Sequence, residues 1–238
     1  MAKKKTEADH KAAALDALID AALMHVMFDG WTPTTFKAAL ADSGVDEGLA
    51  HQAAPRGAVS LAVAFHKRGD AQMTAAVEAA DMSEMRYSEK VAFAVRTRLE
   101  VASKHREAVR RGVTLFSLPH HGPEGTSMVW GTADAIWKVL GDTSDDFNYY
   151  TKRATLSGVY SSTLLFWLGD DSEDFADTWA FLERRIDDVM QIEKVKSAVK
   201  SNPLGKMMMA GPEMLFSMIK APKVGVPEDL PGYTGPQS

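Results

Sequence analysis

The chain has 238 residues, 45% of them apolar and 25% charged, and a formal net charge of −5 at pH 7, which is enough material for one large domain or two small ones. It contains no cysteine, which excludes disulfides, thiolate nucleophiles, iron–sulfur clusters and cysteine-ligated zinc and favours a cytoplasmic protein. No apolar run reaches the roughly 18 residues of a spanning helix, no signal-peptide pattern is present, and the mild acidity disfavours generalised nucleic-acid binding.

The spacing of apolar residues predicts an all-α protein. Apolar residues recur at intervals of three and four, and no alternating pattern bounded by hairpin turns is present, so we expect nine or ten helices. The first is predicted over 8–28. Two short helices follow, one capped by Thr34 and the other by Asp46, with a turn at Gly44 between them.

Longer helices are predicted beyond a seam near residues 54–57. Their expected starts are the capping-box pair Asp81 and Glu84, Lys104, Ser127, and the caps Ser144 and Ser172. In the last helix, apolar residues at steps of four, three, four and three predict one buried stripe. It comprises Phe175, Trp179, Leu182, Ile186 and Val189.

The first three predicted helices have the layout of a helix-turn-helix module joined to a helical body, which is similar to the TetR family of repressors. We therefore predict a TetR-like, all-α fold. Its helix-turn-helix subdomain covers 8–54, and a ligand-binding body of six to seven helices covers 55–200. A three-helix subdomain without repressor ancestry is the alternative.

The charges of this module argue against binding to DNA. A helix that enters the major groove needs basic flanks to neutralise phosphates. No Lys or Arg lies between Lys37 and Arg56, whereas Asp42, Asp46 and Glu47 lie on or beside the second short helix. Because carboxylates repel phosphates, we expect DNA binding to be lost.

The predicted helix that begins near Ser144 and continues to Leu168 carries no charge over its last fifteen residues, 154–168. It is either a central core helix or one wall of an apolar cavity, and the residues alone leave both readings open. Catalytic and metal-binding motifs are missing, and the adjacent His120 and His121 fit a polar turn better than a metal site. We expect no enzymatic activity, no metal and no cofactor.

The carboxy-terminal part is rich in methionine, a flexible residue common where a surface fits changing apolar partners. Residues 203–220 are predicted to form an amphipathic helix that contacts a membrane or a partner, or else packs on the body. Residues 221–238 are predicted to form a flexible tail. The predicted membrane-contact residues are Met207, Met208, Met214, Leu215, Phe216, Met218 and Ile219.

Several segments in order resemble the lipid-binding accessory protein of ubiquinone biosynthesis, a family with a TetR-like fold. They are LPH at 118–120, DFNYYTKR at 146–153, VYSST at 159–163 and DTWAFLERRI at 177–186. The resemblance implies a non-enzymatic protein that binds an isoprenoid quinone or a phospholipid and presents quinone precursors to the demethoxyubiquinone hydroxylase. It further implies a homodimer, with no DNA partner, on the inner face of the membrane. Mitochondrial members begin with a transit peptide, and its absence here favours a bacterial protein.

The resemblance also implies a partner-binding patch, consisting of Trp137, Tyr149, Tyr150, Lys152 and Arg153. Tyr149 stands where the family usually has tryptophan. The carboxy-terminal helix would be the membrane-contact segment, although Gly211 and Pro212 interrupt it.

A cavity in the helical body would offset the cost of removing a prenyl chain from the bilayer, about 0.8 kcal/mol for each methylene. Its predicted lining comprises Phe116, Leu156, Tyr160, Leu164, Trp167 and Trp179. The competing functions are a ligand-responsive TetR-type repressor, which would bind specific DNA, and an enzyme acting in its own pocket, which would turn over substrate alone.

Overall fold

The computed structural model describes residues 6–145 and 147–201, with side chains as far as residue 191. This part of the chain consists of nine α-helices and two short 3-10 helices and contains no strand, which confirms the predicted all-α class. The predicted membrane or partner helix at 203–220, with all its predicted membrane-contact residues, lies outside the described residues. The predicted tail at 221–238 lies outside them as well.

The amino-terminal trio consists of α1 (Glu7–Asp29), α2 (Pro33–Ser43) and α3 (Glu47–Ala53). The cap of α2 is Thr32 and not Thr34: the Thr32 hydroxyl accepts from the Thr35 N–H at 3.5 Å. Pro33 then stands in the first turn, where its missing N–H costs nothing. Asp46 caps α3 as predicted, accepting from the Leu49 N–H at 3.0 Å.

The body consists of α4 (Ala58–Ala79), α5 (Tyr87–Glu100), α6 (Arg106–Phe116), α7 (Gly122–Val139), α8 (Phe147–Gly169) and α9 (Ala176–Ser201). The 3-10 helices Ser103–His105 and Glu173–Phe175 precede α6 and α9. The last helix follows the predicted stripe, because Leu182 and Ile186 are buried and the other three stripe residues pack against the body core.

Besides the cap of α2, three predicted helix starts in the body are wrong. Asp81 accepts a hydrogen bond from the Ser83 N–H and forms a turn, and α5 begins later, where Arg86 and Glu89 make the capping box. The seventh helix begins at Gly122, five residues before Ser127, because Pro123 is compatible with a first turn. Ser144 donates to Asp142 instead of capping α8.

Two cores stabilise the fold. The trio core is centred on Leu18, Ile19 and Val26 of α1 and is completed by Leu61 of α4 and Ala108 of α6. The body core is larger and is built from α4, α5, α7, α8 and α9. Since α4 and α6 supply buried residues to the trio core, the helix-turn-helix-like trio is packed on the body.

Specific polar contacts reinforce this packing. The Trp31 indole N–H donates to the Ala108 carbonyl at 3.0 Å, and the Arg56 guanidinium binds both carboxylate oxygens of Glu124. At the far end of α8, Arg106 donates to the Trp167 and Asp170 carbonyls, each at 2.6 Å. A cation on the last carbonyls of a helix also complements its dipole, so α6 fixes the end of α8.

Candidate functional site

A cavity of about 730 Å³ lies between the two cores. Helices α4 to α8 wall it, together with Trp31 from the connection between α1 and α2. Phe65 extends the trio-core side of the wall, and Val113 extends the body-core side. Its volume falls within the roughly 300–1,000 Å³ typical of small-molecule sites. Exposed lining residues, among them Glu100 and Leu165, mark where it opens to solvent.

Three of the six residues predicted to line a cavity do so: Phe116, Tyr160 and Leu164. The other three lie elsewhere. Leu156 and Trp167 are buried in the body core. Trp179 packs at the edge of that core with the Arg96 guanidinium 4.7 Å from its ring centroid.

The two readings of the uncharged segment are therefore both correct, on different faces of α8. One face supplies Leu156, Val159 and Trp167 to the body core. A neighbouring face presents Ser161 and Leu164 to the cavity. A helix packed on one side and facing a cavity on the other needs no charged stripe over this length.

One end of the cavity is polar. Arg98 is 4% exposed and lines the cavity; its Nε donates to Asp70 Oδ1 at 2.6 Å, and Nη2 donates to the His66 carbonyl at 3.1 Å. Gly69 permits this approach, since a Cβ there would lie 2.8 Å from Arg98 Cζ. The cation and its carboxylate partner compensate each other's charge in this buried setting.

His66 and Thr132 complete the polar network. The Thr132 hydroxyl donates to Asp70 Oδ1 at 2.9 Å, and His66 Nε2 lies 2.9 Å from the same hydroxyl. Because that hydroxyl's proton is committed to Asp70, His66 Nε2 carries the hydrogen and donates to Thr132. Burial, assisted by the charge of Arg98, lowers the pKa of His66 from 6.5 to about 4, so the ring is neutral at pH 7.

Tyr160 lines the cavity beside this network and is almost entirely buried, at 2% exposure, with Thr132 as a hydrogen-bonding neighbour of its hydroxyl. Burial raises the pKa of its hydroxyl above 10, so the group is a neutral phenol at physiological pH. The polar end of the cavity thus presents a neutral phenol, a neutral imidazole and a charge-compensated guanidinium.

Sequence reasoning missed four of the polar residues, namely His66, Asp70, Arg98 and Thr132. One signal was available. Arg98 follows Val91 and Val95 of α5 at helical spacing and adjoins Leu99, so a charge falls on the buried face. A charge on such a face needs a buried partner, and the preceding helix, α4, supplies that partner as Asp70.

The predicted partner patch lies where the start of α8 meets α7. Trp137 is largely buried and stacks on the half-exposed Tyr87, with ring centroids 5.9 Å apart. Tyr149 and Tyr150 are half-buried and meet edge to face at 5.1 Å. Lys152 is also half-buried; its ammonium lies 5.6 Å from the centre of the Trp137 ring and 2.6 Å from Asp142 Oδ1.

Arg153 is not a surface residue, contrary to the expectation of a direct partner contact. Its side chain is 2% exposed, and it donates to Asp134 Oδ1 at 2.6 Å, to Asp142 Oδ2 at 3.1 Å and to the Tyr149 carbonyl at 3.2 Å. Its guanidinium also lies 3.6 Å from the centre of the Tyr149 ring. Arg153 therefore holds Tyr149 in place from beneath the surface.

The acidic residues of the trio lie on its surface, as the sequence suggested. Asp42, Asp46 and Glu47 are exposed, and Asp42 accepts a hydrogen bond from His25 Nε2 at 2.7 Å. Within the described ranges, no group of three or more His, Asp or Glu side chains could hold a metal ion. Within the same ranges, none of the helices has the length and apolar character needed to cross a bilayer.

Comparison with known proteins identifies relatives. Residues 122–193, which include α7 and α8, match the family model COQ9. The chain is 32% identical over 191 residues to the ubiquinone biosynthesis protein COQ9, mitochondrial, of Bos taurus, covering 77% of this chain and 60% of that protein. The Homo sapiens protein of the same name is 32% identical over 194 residues, with the same coverage. The Drosophila melanogaster protein is 31% identical over 199 residues, covering 80% and 61%. The chain thus spans about 60% of the length of these curated relatives.

A solved structure shows the same architecture. The crystal structure of the TetR transcriptional regulator from Nitrosomonas europaea ATCC 19718 superposes with a TM-score of 0.60 at 21% sequence identity. The match covers 73% of this chain and 95% of the regulator. At this identity the likeness concerns the fold alone, and it confirms the predicted TetR-like arrangement.

Proposed function

Since this chain is a homologue of the COQ9 proteins of ubiquinone biosynthesis, we propose that it is a non-enzymatic accessory protein that holds an isoprenoid quinone precursor in its helical body. It presents that precursor to the demethoxyubiquinone hydroxylase. The main structural support for this proposal is the cavity of about 730 Å³ between the two cores. A wall built largely from apolar side chains stabilises a prenyl chain that water would reject.

The size and position of the cavity suit this role. Its volume accommodates a ring and a short length of prenyl chain, and the exposed Leu165 at its wall offers apolar surface where a longer tail would leave. A carrier of this kind needs no catalytic group, because its contribution is to remove an apolar molecule from the bilayer and orient it.

Mass spectrometry of organic extracts from the purified protein tests lipid carriage. We expect a lipid or quinone to co-purify with the unmodified chain. Val109→Trp, on the cavity wall, should reduce the amount per chain several-fold by filling the space. Ala180→Trp, at an exposed position of α9, is the matched control and should retain it. An unmodified protein free of any extractable lipid would contradict the proposal.

Association with the hydroxylase involves the aromatic surface formed by Tyr87, Trp137, Tyr149 and Tyr150. Tyr87 is exposed, Tyr149 and Tyr150 are half-buried, and Trp137 supports them from a largely buried position. Accessible aromatic side chains act well as interface anchors, because they bury a large area at little cost in entropy. Lys152 adds a cation at its edge, where an acidic group of a partner could compete with Asp142.

A binding assay with purified hydroxylase tests this surface. Tyr149→Ala and Tyr150→Ala should each weaken association about tenfold or more while leaving the extracted lipid unchanged. Phe181→Ala is the matched aromatic control. It stacks on Phe166, which lies about 25 Å along α8 from Tyr149, and should not alter association. Equal losses from all three variants would contradict a local docking surface.

We also propose that residues 203–220 provide peripheral contact with a membrane, and that the trio does not bind DNA. The exposed Asp42, Asp46 and Glu47 support the second statement, since carboxylates on the groove-facing side of such a module repel phosphate. Sequence-specific DNA binding with a steep dependence on salt would instead favour a TetR-type repressor.

A further inference from the structure

We infer that the polar end of the cavity, formed by Arg98, His66 and Tyr160, is a head-group subsite that binds a neutral oxygen of a ring, either a quinone carbonyl or a phenol. This assignment rests on the proposed function and specifies which part of the ligand lies where. The ring lies at the α4–α5 end, and the apolar chain runs along Leu164 and Val113.

Unused donors on Arg98 carry the assignment. A guanidinium has five N–H groups. In Arg98 the Nε–H group donates to Asp70, and the Nη2–H groups lie against the carbonyl and the ring Nδ1 of His66. Among the described residues, no acceptor is paired with Nη1, although the side chain is only 5% exposed and lines the cavity. Within the described part of the chain, Nη1 is not one of the fully buried polar atoms that lack a partner, so solvent in the cavity reaches it, and an acceptor oxygen of a ligand would take the place of that water.

The supporting residues hold the subsite rigid before a ligand arrives. Asp70 fixes the Arg98 guanidinium from behind, and Thr132 joins Asp70 to His66. Neither Asp70 nor Thr132 lines the cavity, so both act as positioning residues. Donors held in place in this way lose little entropy on binding, which favours affinity and a defined ring orientation.

The charge balance of the subsite favours a neutral head group over an anionic one. Asp70 compensates Arg98, with 2.6 Å between Asp70 Oδ1 and Arg98 Nε, and His66 and Tyr160 are both neutral at pH 7. An anion placed here would lack a net countercharge within the buried cluster, and its desolvation would be costly. A carbonyl or hydroxyl oxygen requires only hydrogen bonds, which Arg98 Nη1 can supply directly and the Tyr160 hydroxyl can supply by exchanging its hydrogen bond with Thr132.

Two probes of similar shape separate the head-group contribution from the apolar one. The first is 2,3-dimethoxy-5-methyl-6-decyl-1,4-benzoquinone. The second is n-decylbenzene, which keeps a ring and the same tail but has no oxygen. Both are delivered from cyclodextrin and titrated into the full chain by calorimetry. We expect the unmodified protein to bind the quinone at least tenfold more tightly.

The variants are Tyr160→Phe, Arg98→Lys and the wall control Leu164→Ala. Tyr160→Phe removes one hydroxyl and should weaken quinone binding about five- to tenfold without changing decylbenzene binding. Arg98→Lys keeps the charge beside Asp70 but removes the guanidinium fork, with a loss of tenfold or more for the quinone alone. Leu164→Ala should weaken both probes alike, because it removes only apolar contact.

Each outcome decides a different statement. If Tyr160→Phe and Arg98→Lys keep the quinone affinity of the unmodified chain while Leu164→Ala weakens both probes, the head-group assignment is wrong and lipid carriage stands. If the unmodified chain binds neither probe, the proposed function fails together with the subsite. If Arg98→Lys lowers the melting temperature severely, its binding result is not used. The head-group assignment then depends on Tyr160→Phe, because that variant keeps every contact of Asp70.

Discussion

The buried position of Arg153 leads to a quantitative expectation about stability. Asp142 is 3% exposed and has only Arg153, Lys152 and Ser144 as side-chain partners among the described residues. Burial by itself would raise the pKa of Asp142, but hydrogen bonds from these three groups hold it below its usual value. Arg153→Met keeps the bulk of the side chain but removes the buried cation that Asp142 shares with Asp134, so that Asp142 keeps only Lys152 and Ser144. Breaking a buried ion pair in this way costs about 3–5 kcal/mol.

Lys152→Met is the matched control, because it removes a cation from the same carboxylate at a position that is 37% exposed. A pair of that kind contributes at most about 1 kcal/mol. Urea denaturation followed by circular dichroism measures the free energy of unfolding of both variants, and thermal denaturation measures their melting temperatures. For a chain of this size, 1 kcal/mol corresponds to about 2–4 °C in melting temperature, so Arg153→Met should melt roughly 6–20 °C lower. Equal effects from the two variants would refute the reasoning that burial sets the cost.

Two further expectations concern the polar end of the cavity. The pKa of His66 is about 4 in the folded protein and near 6.5 in the unfolded chain, so between these pH values only the unfolded chain binds the proton. The free energy of unfolding therefore falls by up to about 3 kcal/mol as the pH drops from 6.5 to 4. His66→Gln should flatten this part of the profile in urea titrations between pH 7 and pH 4, and an unchanged slope would contradict it. Gly69→Ala should destabilise the protein by about 1–3 kcal/mol, because the added Cβ would collide with the Arg98 guanidinium. Gly158 lies on α8 with open space around it, so Gly158→Ala should stabilise the helix by about 0.5–1 kcal/mol. Thermal melts of the two alanine variants must therefore shift in opposite directions.

The sequence was sufficient to predict the fold because the signals involved are local. Helical spacing of apolar residues predicted an all-α chain, and the cap at Asp46 was correct because an N-cap depends on neighbouring residues only. The predicted starts at Asp81 and Ser144 failed for the same reason: a short polar side chain can equally form a turn or a local hydrogen bond.

The candidate site was only partly predictable. Large apolar residues of α8 were expected to line a cavity, but periodicity cannot tell a wall facing empty space from one facing another helix. Leu156 and Trp167 therefore fell in the core, and Tyr160 and Leu164 in the wall. Arg153 was predicted to be a surface cation. Its acidic partners, Asp134 and Asp142, lie on α7 and on the connection that follows it, and the spacing of residues in the sequence does not indicate such a contact between helices.

The position of the cavity connects the binding of a ligand to the packing of the trio on the body. Trp31 and Phe65 on one wall pack in the trio core, whereas Val113 and Tyr160 on the other pack in the body core. A ligand between them contacts both cores at once, so its binding free energy adds to the stability of their association. In a fold shared with a transcriptional regulator, the same contact would allow the ligand to change the orientation of the trio on the body. In this structure the Trp31–Ala108 hydrogen bond and the Arg56–Glu124 ion pair join the trio to the body, and Trp31 forms part of the cavity wall.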